Sequence, residues 1–306
     1  MKDKYKHSTS QLFNFAQDSY LERTSRPIYA IAFLLPFIAF YELGTIFINT
    51  NVLRYYWQGR VVAFSWLQKS LEYLGFGSKL AWVATPLAVV VILIALQLSS
   101  RKRWRFWAGD IWQMAIECIL LAVPLIVLGL FLSGHAETHG DPDQFAKSSI
   151  QIQTGAVASC SSVTNDSLPA AIEDNIDSGP TTKLLADIVT GIGAGIYEEL
   201  VFRLILICLL MLLFQDFLRL DRKNSVILSV LISAALFSAY HHIDFFSGQL
   251  YQRAPFNWTE FGFRTIAGVY FAVIFAIRGF GITAGTHAFY DIIATVINAV
   301  FFSNGN

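Results

Sequence analysis

Long apolar runs separated by short polar stretches set the pattern of this chain. A bilayer core of about 30 Å takes roughly 20 helical residues to cross. Seven runs meet that length: 27–48, 79–98, 108–132, 184–214, 224–243, 259–278 and 280–302. The first is too long and begins too late for a cleaved signal peptide, and no small-residue cleavage site follows it. Between the first two runs the pattern changes. Leu53, Trp57, Phe64, Leu67, Leu71 and Leu74 recur mostly at three- and four-residue spacing, with Tyr55, Tyr56 and Trp66 suited to the headgroup zone. This predicts a helix over 53–74 lying on the membrane surface. Residues 133–183 are rich in Ser, Thr, Asp and Gly with little periodicity, which predicts a flexible insertion. The expected fold is all-α: a polytopic membrane helix bundle of about seven transmembrane helices plus one interfacial helix. Its expected divisions are a cytoplasmic tail (1–26), a three-span front half (27–132), an extracytoplasmic loop (133–183) and a four-span back half (184–306). No internal repeat is visible.

Composition agrees with a membrane protein: 55% of residues are hydrophobic and only 14% are charged. Basic residues give an orientation. Lys2, Lys4, Lys6, Arg23 and Arg26 mark the tail, Arg101-Lys102-Arg103-Trp104-Arg105 the next connection on that side, then Arg219, Arg222 and Lys223, and finally Arg278. An alternating path puts all four on one face and the acidic 133–183 loop on the other. The N-terminus is therefore expected in the cytoplasm and the C-terminus outside it. Arg54, Arg60 and Lys69 in the first outer loop run against the rule. Of the three cysteines, Cys118 and Cys208 fall within spans and Cys160 lies in the outer loop, a distribution that supports neither an internal disulfide nor a metal spacing.

Charge inside the spans is the chemical signal. The fourth span contains Gly-Ala-Gly-Ile-Tyr-Glu198-Glu199-Leu-Val-Phe-Arg203. A charge at membrane depth costs roughly 2.5–3.5 kcal/mol on insertion scales, and such residues usually face a polar cavity and carry a function. Glu199 and Arg203 are four apart, so they share a helix face and partly neutralise each other. Glu198 points about 100° away and has no such local partner. The fifth span ends Phe237-Ser-Ala-Tyr-His241-His242, and the seventh contains His287-Ala-Phe-Tyr-Asp291. In both, the four-residue spacing puts Phe237 with His241, and His287 with Asp291, on one face. Two histidines, an aspartate and two glutamates on neighbouring spans satisfy one another most cheaply in one shared cavity. Glu42 and Glu117 also lie in spans, and either line that cavity or bond neighbouring helices.

Glu198-Glu199-Leu-Val-Phe-Arg203, Phe237-Ser-Ala-Tyr-His241 and His287-Ala-Phe-Tyr-Asp291, in that order on successive spans, resemble the motifs of the CAAX protease and bacteriocin-processing family of intramembrane proteases. The resemblance covers about 184–302. It implies a membrane peptidase acting on a membrane-associated protein or peptide, with the bilayer as its surroundings and no nucleic-acid partner. Asp291 departs from the asparagine of the best-studied prenyl-protein proteases.

Amide hydrolysis needs an activated water and a stabilised oxyanion. Glu198, desolvated, is the expected general base, with His241 holding the same water. His287 is the expected oxyanion donor. Asp291 is expected to accept the Nδ1 proton of His287 and so present the other ring nitrogen to the site. The resemblance implies the same roles. Glu199 and Arg203 are assigned to structure or to contact with a substrate carboxylate, and Phe237 to packing under His241. No cofactor is favoured. If a metal takes part, Glu198, His241 and His287 would be an acceptable zinc set with an open fourth position, although they lack the paired spacing of a helical zinc motif. A non-catalytic scaffold or immunity-type protein of the same fold is the alternative, but every charged motif position is filled. A proton-coupled transporter would also bury Glu and His, but it predicts inverted repeats that are absent. One geometric difficulty remains. At 1.5 Å per residue, His241 lies about 25 Å along its span and His287 about 10 Å along its own. Either the turn after Arg278 dips into the membrane, or the fifth span starts near Leu228.

Overall fold

A computed structural model describes residues 16, 18–52, 61–100, 102–136, 180–241 and 258–302. Its elements are α1 (Tyr20–Thr24), α2 (Pro27–Val52), α3 (Val62–Tyr73), α4 (Ser78–Ser100) and α5 (Gly109–Ala136). They continue with α6 (Pro180–Glu199, carried on by Leu200–Leu206, Ile207–Met211 and Leu212–Phe217), α7 (Arg222–Tyr240), α8 (Trp258–Arg278) and α9 (Phe280–Ile297, ending in Asn298–Phe302). Among the described residues there is no strand, and seven helices are long and apolar enough to cross a membrane. Their bounds follow the seven apolar runs to within a few residues. α3 covers the second part of the expected surface helix; residues 53–60 lie outside the described residues, as do most of the 133–183 insertion, Cys160 and His242.

Local chemistry sets the helix ends. The Ser19 hydroxyl accepts from Glu22 N at 3.3 Å and caps α1, and the Asp221 carboxylate accepts from Asn224 N at 3.2 Å and caps α7. Ile28 N, an unpaired donor in the first turn of α2, is satisfied by the buried Gln97 side chain at 3.1 Å. Between α8 and α9 the chain reverses at Gly279, whose φ of +79° is a left-handed conformation that glycine adopts without steric penalty.

Arg278, read from the sequence as a surface cation, is 6% exposed. Its guanidinium donates to both oxygens of Glu117 (2.5 and 2.7 Å), to the Thr24 hydroxyl (2.9 Å) and to Leu21 O (2.9 Å). Tyr20 also donates to Glu117, at 2.7 Å. Glu117 therefore bonds neighbouring elements and does not line the site. Nearby, Arg23 makes a two-pronged bridge to Asp110 (2.9 and 3.0 Å), and Tyr29 donates to the same carboxylate at 2.9 Å. That bridge holds the Arg23 guanidinium above its ordinary pKa. These contacts tie α1, α2, α5 and the α8–α9 turn together at one end of the bundle and fix the height of α9.

α9 runs through the middle of the bundle. Gly281 packs on Ala30, and Gly285 on Phe33 and Cys118. One continuous apolar cluster joins residues of both halves, including Phe33, Tyr41, Phe64, Cys118, Tyr197, Phe271 and Ala294. α6 and α9 also pack closely: a methyl on Gly195 would lie 2.5 Å from Ala288 N and one on Gly191 would lie 2.7 Å from Asp291 Cβ. Small residues let transmembrane backbones approach this closely. Gly195→Ala should therefore push α6 from α9 and cost about 1–3 kcal/mol. Thermal unfolding in detergent measures this, and an unchanged midpoint would mean that the two helices have room to spare.

Candidate active site

The site begins where α6 changes its winding. From Leu200 to Leu206 the helix takes the wider π form, a rare geometry often found at functional positions. Glu198 and Glu199 are the last residues before it, and both are buried, at 2% and 0% exposure. Ser233 of α7 donates to Phe202 O at 2.7 Å across this stretch and satisfies a carbonyl in the altered ladder.

Glu199 joins α6 to α9. One oxygen faces Arg203 Nε at 3.1 Å, as the four-residue spacing predicts. The contact is an ion pair without hydrogen-bond alignment. The other oxygen bonds His287 Nδ1 of α9 at 2.7 Å. Arg203 is fully buried, donates to Gly268 O of α8 at 3.4 Å, and lies 4.2 Å from the Phe237 ring centroid. It is enclosed by protein groups of α6, α7 and α8.

His287 lies between two carboxylates. Glu199 takes Nδ1, and Asp291 Oδ2 lies 3.6 Å from Nε2. The expected Nδ1 bond to Asp291 is thus replaced: Glu199 reaches that nitrogen from the neighbouring helix, and Asp291, one turn along α9, faces the other one. The imidazole stacks on Phe271 at 4.6 Å with a 14° interplanar angle, which fixes the plane of the ring. Both nitrogens can donate only when the ring is an imidazolium.

Glu198 is held differently. The Tyr240 hydroxyl donates to its Oε1 at 3.5 Å, and its Oε2 makes no hydrogen bond among the described residues. His241 caps α7, and its ring folds back so that Nδ1 lies 2.9 Å from Phe237 O, the carbonyl one turn earlier. α7 starts at Arg222, not near Leu228, so a later start of this span does not resolve the depth difficulty. Phe237 links the two histidines, with ring centroids 5.1 Å from His241 and 6.3 Å from His287. It is thus the hub of the site as well as packing for His241.

Among the described residues, no three His, Cys, Asp or Glu side chains are grouped so as to hold a metal ion. Glu42 sits one residue from the site, accepting from Tyr197 at 3.2 Å.

Sequence reasoning passed over Tyr240 and Phe271. Tyr240 adjoins His241, and its hydroxyl needs a partner when buried, so it was open to notice. Phe271 carries no such signal, because an aromatic residue in an apolar span reads as packing.

Residues 180–293 match the family model described as type II CAAX prenyl endopeptidase Rce1-like. No curated protein and no solved structure matches the chain. The matched segment runs from the start of α6 into α9 and contains all three motifs, including the two histidines and the arginine that pack on Phe237. Residues 180–293 of this multi-pass membrane protein are therefore similar to the Rce1-like proteins of the CAAX protease and bacteriocin-processing family.

Proposed function

We propose that the protein is an intramembrane endopeptidase that hydrolyses peptide bonds of membrane-associated proteins or peptides with a water activated by Glu198. The observation that carries this reading is the pairing of a buried carboxylate with a flanked imidazole. Glu198 keeps one oxygen without a hydrogen bond from the described residues, while His287 is held between Glu199 and Asp291. In this reading Glu198 takes the proton of the attacking water as the new C–O bond forms. His241 holds that water from the opposite side. With Nδ1–H given to Glu199, the Nε2–H of an imidazolium at His287 donates to the oxyanion, and a charged donor is the stronger one. The proton on Glu198 then passes to the leaving amine as the C–N bond breaks. The family description suggests a prenylated peptide as the class of substrate. The basic connections support a cytoplasmic N-terminus and a C-terminus on the other side.

The test is a proteomic comparison of membranes from cells expressing the wild type and cells expressing Glu198→Gln. New protein termini present only with the wild type are expected. Identical termini in both would remove the peptidase reading.

Asp291→Asn separates the possible roles of this carboxylate. If Asp291 only orients His287, through the ion pair at 3.6 Å, the amide keeps the geometry and turnover falls by no more than about tenfold. A variant as inactive as Glu198→Gln, or a wild type that loses activity to a chelator, would instead make Asp291 a water-activating group or assign a metal to the site.

A further inference from the structure

The family-matched segment begins at residue 180, yet a side chain of the front half reaches the hydrogen bond on Glu198. Tyr240 is 7% exposed, and aromatic rings of the described residues pack against it. Trp66 of α3 meets it edge-on at 4.8 Å and 76°, Phe202 of α6 lies at 5.1 Å, and His241 at 4.7 Å. Trp66 also packs on Phe202 at 6.3 Å, closing a small cluster of Phe202, Phe237 and Tyr240 that is separate from the main core. α3 is placed there by more than Trp66, because Phe64 meets Tyr197 edge-on at 4.9 Å, one residue before Glu198. The amphipathic helix thus contacts the α6 turn that bears the two glutamates and the end of α7 that bears His241.

We infer that Tyr240 is a positioning residue that orients the Glu198 carboxylate, and that Trp66 holds Tyr240 in place, so that the working site includes α3 as well as the family-matched segment. The inference rests on the proposed role of Glu198. A carboxylate with one oxygen fixed by a phenol presents its other oxygen in one direction. Without that bond it rotates about its last torsion, which is broad and weakly constrained. A base must lie within hydrogen-bond reach of the proton it takes, so freer rotation lowers the rate without changing how substrate binds.

Two measurements test this together on the full-length protein in nanodiscs. The first is turnover of a quenched peptide carrying a farnesylated cysteine. Tyr240→Phe should lower kcat roughly three- to tenfold, the effect of losing one long hydrogen bond of 3.5 Å, and leave KM within about twofold. Trp66→Ala should do the same to a smaller extent, and Trp66→Phe should restore most of the rate. The second measurement is infrared difference spectroscopy, with the Glu198 carboxyl band identified by its loss in Glu198→Gln. That band should shift in Tyr240→Phe, shift the same way in Trp66→Ala, and return in Trp66→Phe. An unshifted band in Tyr240→Phe, or a KM change in place of a kcat change, overturns the inference even if the protein is an active peptidase. A shifted band in a protein with no peptidase activity supports the hydrogen-bond chain and overturns the proposed function instead. Trp66→Ala with the spectrum of the wild type removes α3 from the site.

Discussion

Glu198→Gln should abolish cleavage while leaving the protein folded in the membrane. Glutamine keeps the shape of the side chain and still accepts from Tyr240, whose hydroxyl lies 3.5 Å from Oε1. It cannot take a proton from water. General-base catalysis contributes about 10²–10⁴-fold, so the variant should lose that much in kcat with an unchanged unfolding midpoint. Steady-state turnover of purified protein, with thermal unfolding in parallel, checks both halves. Wild-type turnover in Glu198→Gln would remove Glu198 from the chemistry and leave the site without its base.

Glu199→Ala should fail in a different way. Glu199 is the carboxylate paired with Arg203, which is fully buried, and also the acceptor for His287 Nδ1 at 2.7 Å. Removing it leaves a buried cation uncompensated, a change that costs about 3–5 kcal/mol. Glu199→Gln should cost less, since the amide still offers an oxygen to His287. Combining Glu199→Ala with Arg203→Met should recover part of the loss, because the stranded charge is gone. Chemical unfolding of the four proteins in one detergent measures this. Equal stability of Glu199→Ala and the wild type would mean that the Glu199–Arg203 pair contributes nothing to the fold.

The apolar runs carried the architecture because a span must be about 20 residues long and satisfy its own backbone. The i,i+4 rule likewise paired Glu199 with Arg203, and the observed pair stands at 3.1 Å. What the sequence could not carry was contact between helices. Each helix can turn about its axis without altering its own pattern, so nothing in the spacing of His287 and Asp291 says that Glu199 of another helix takes Nδ1. The π stretch after Glu199 adds a phase change without a residue signature. Arg278 shows the same limit: it reads as a basic residue at a span end, and only Glu117, far away in sequence, explains its burial. Trp66 reads correctly as an aromatic residue of an amphipathic helix, but its place against Tyr240 depends on where that helix comes to rest.

The most direct test is mass spectrometry of a single reaction. The purified protein in nanodiscs is incubated in ¹⁸O-labelled water with a peptide bearing a farnesylated cysteine near its C-terminus, beside Glu198→Gln. The account predicts a shortened peptide with one ¹⁸O in its new carboxylate for the wild type, and intact peptide for the variant. Intact peptide in both reactions, or equal cleavage in both, would contradict it.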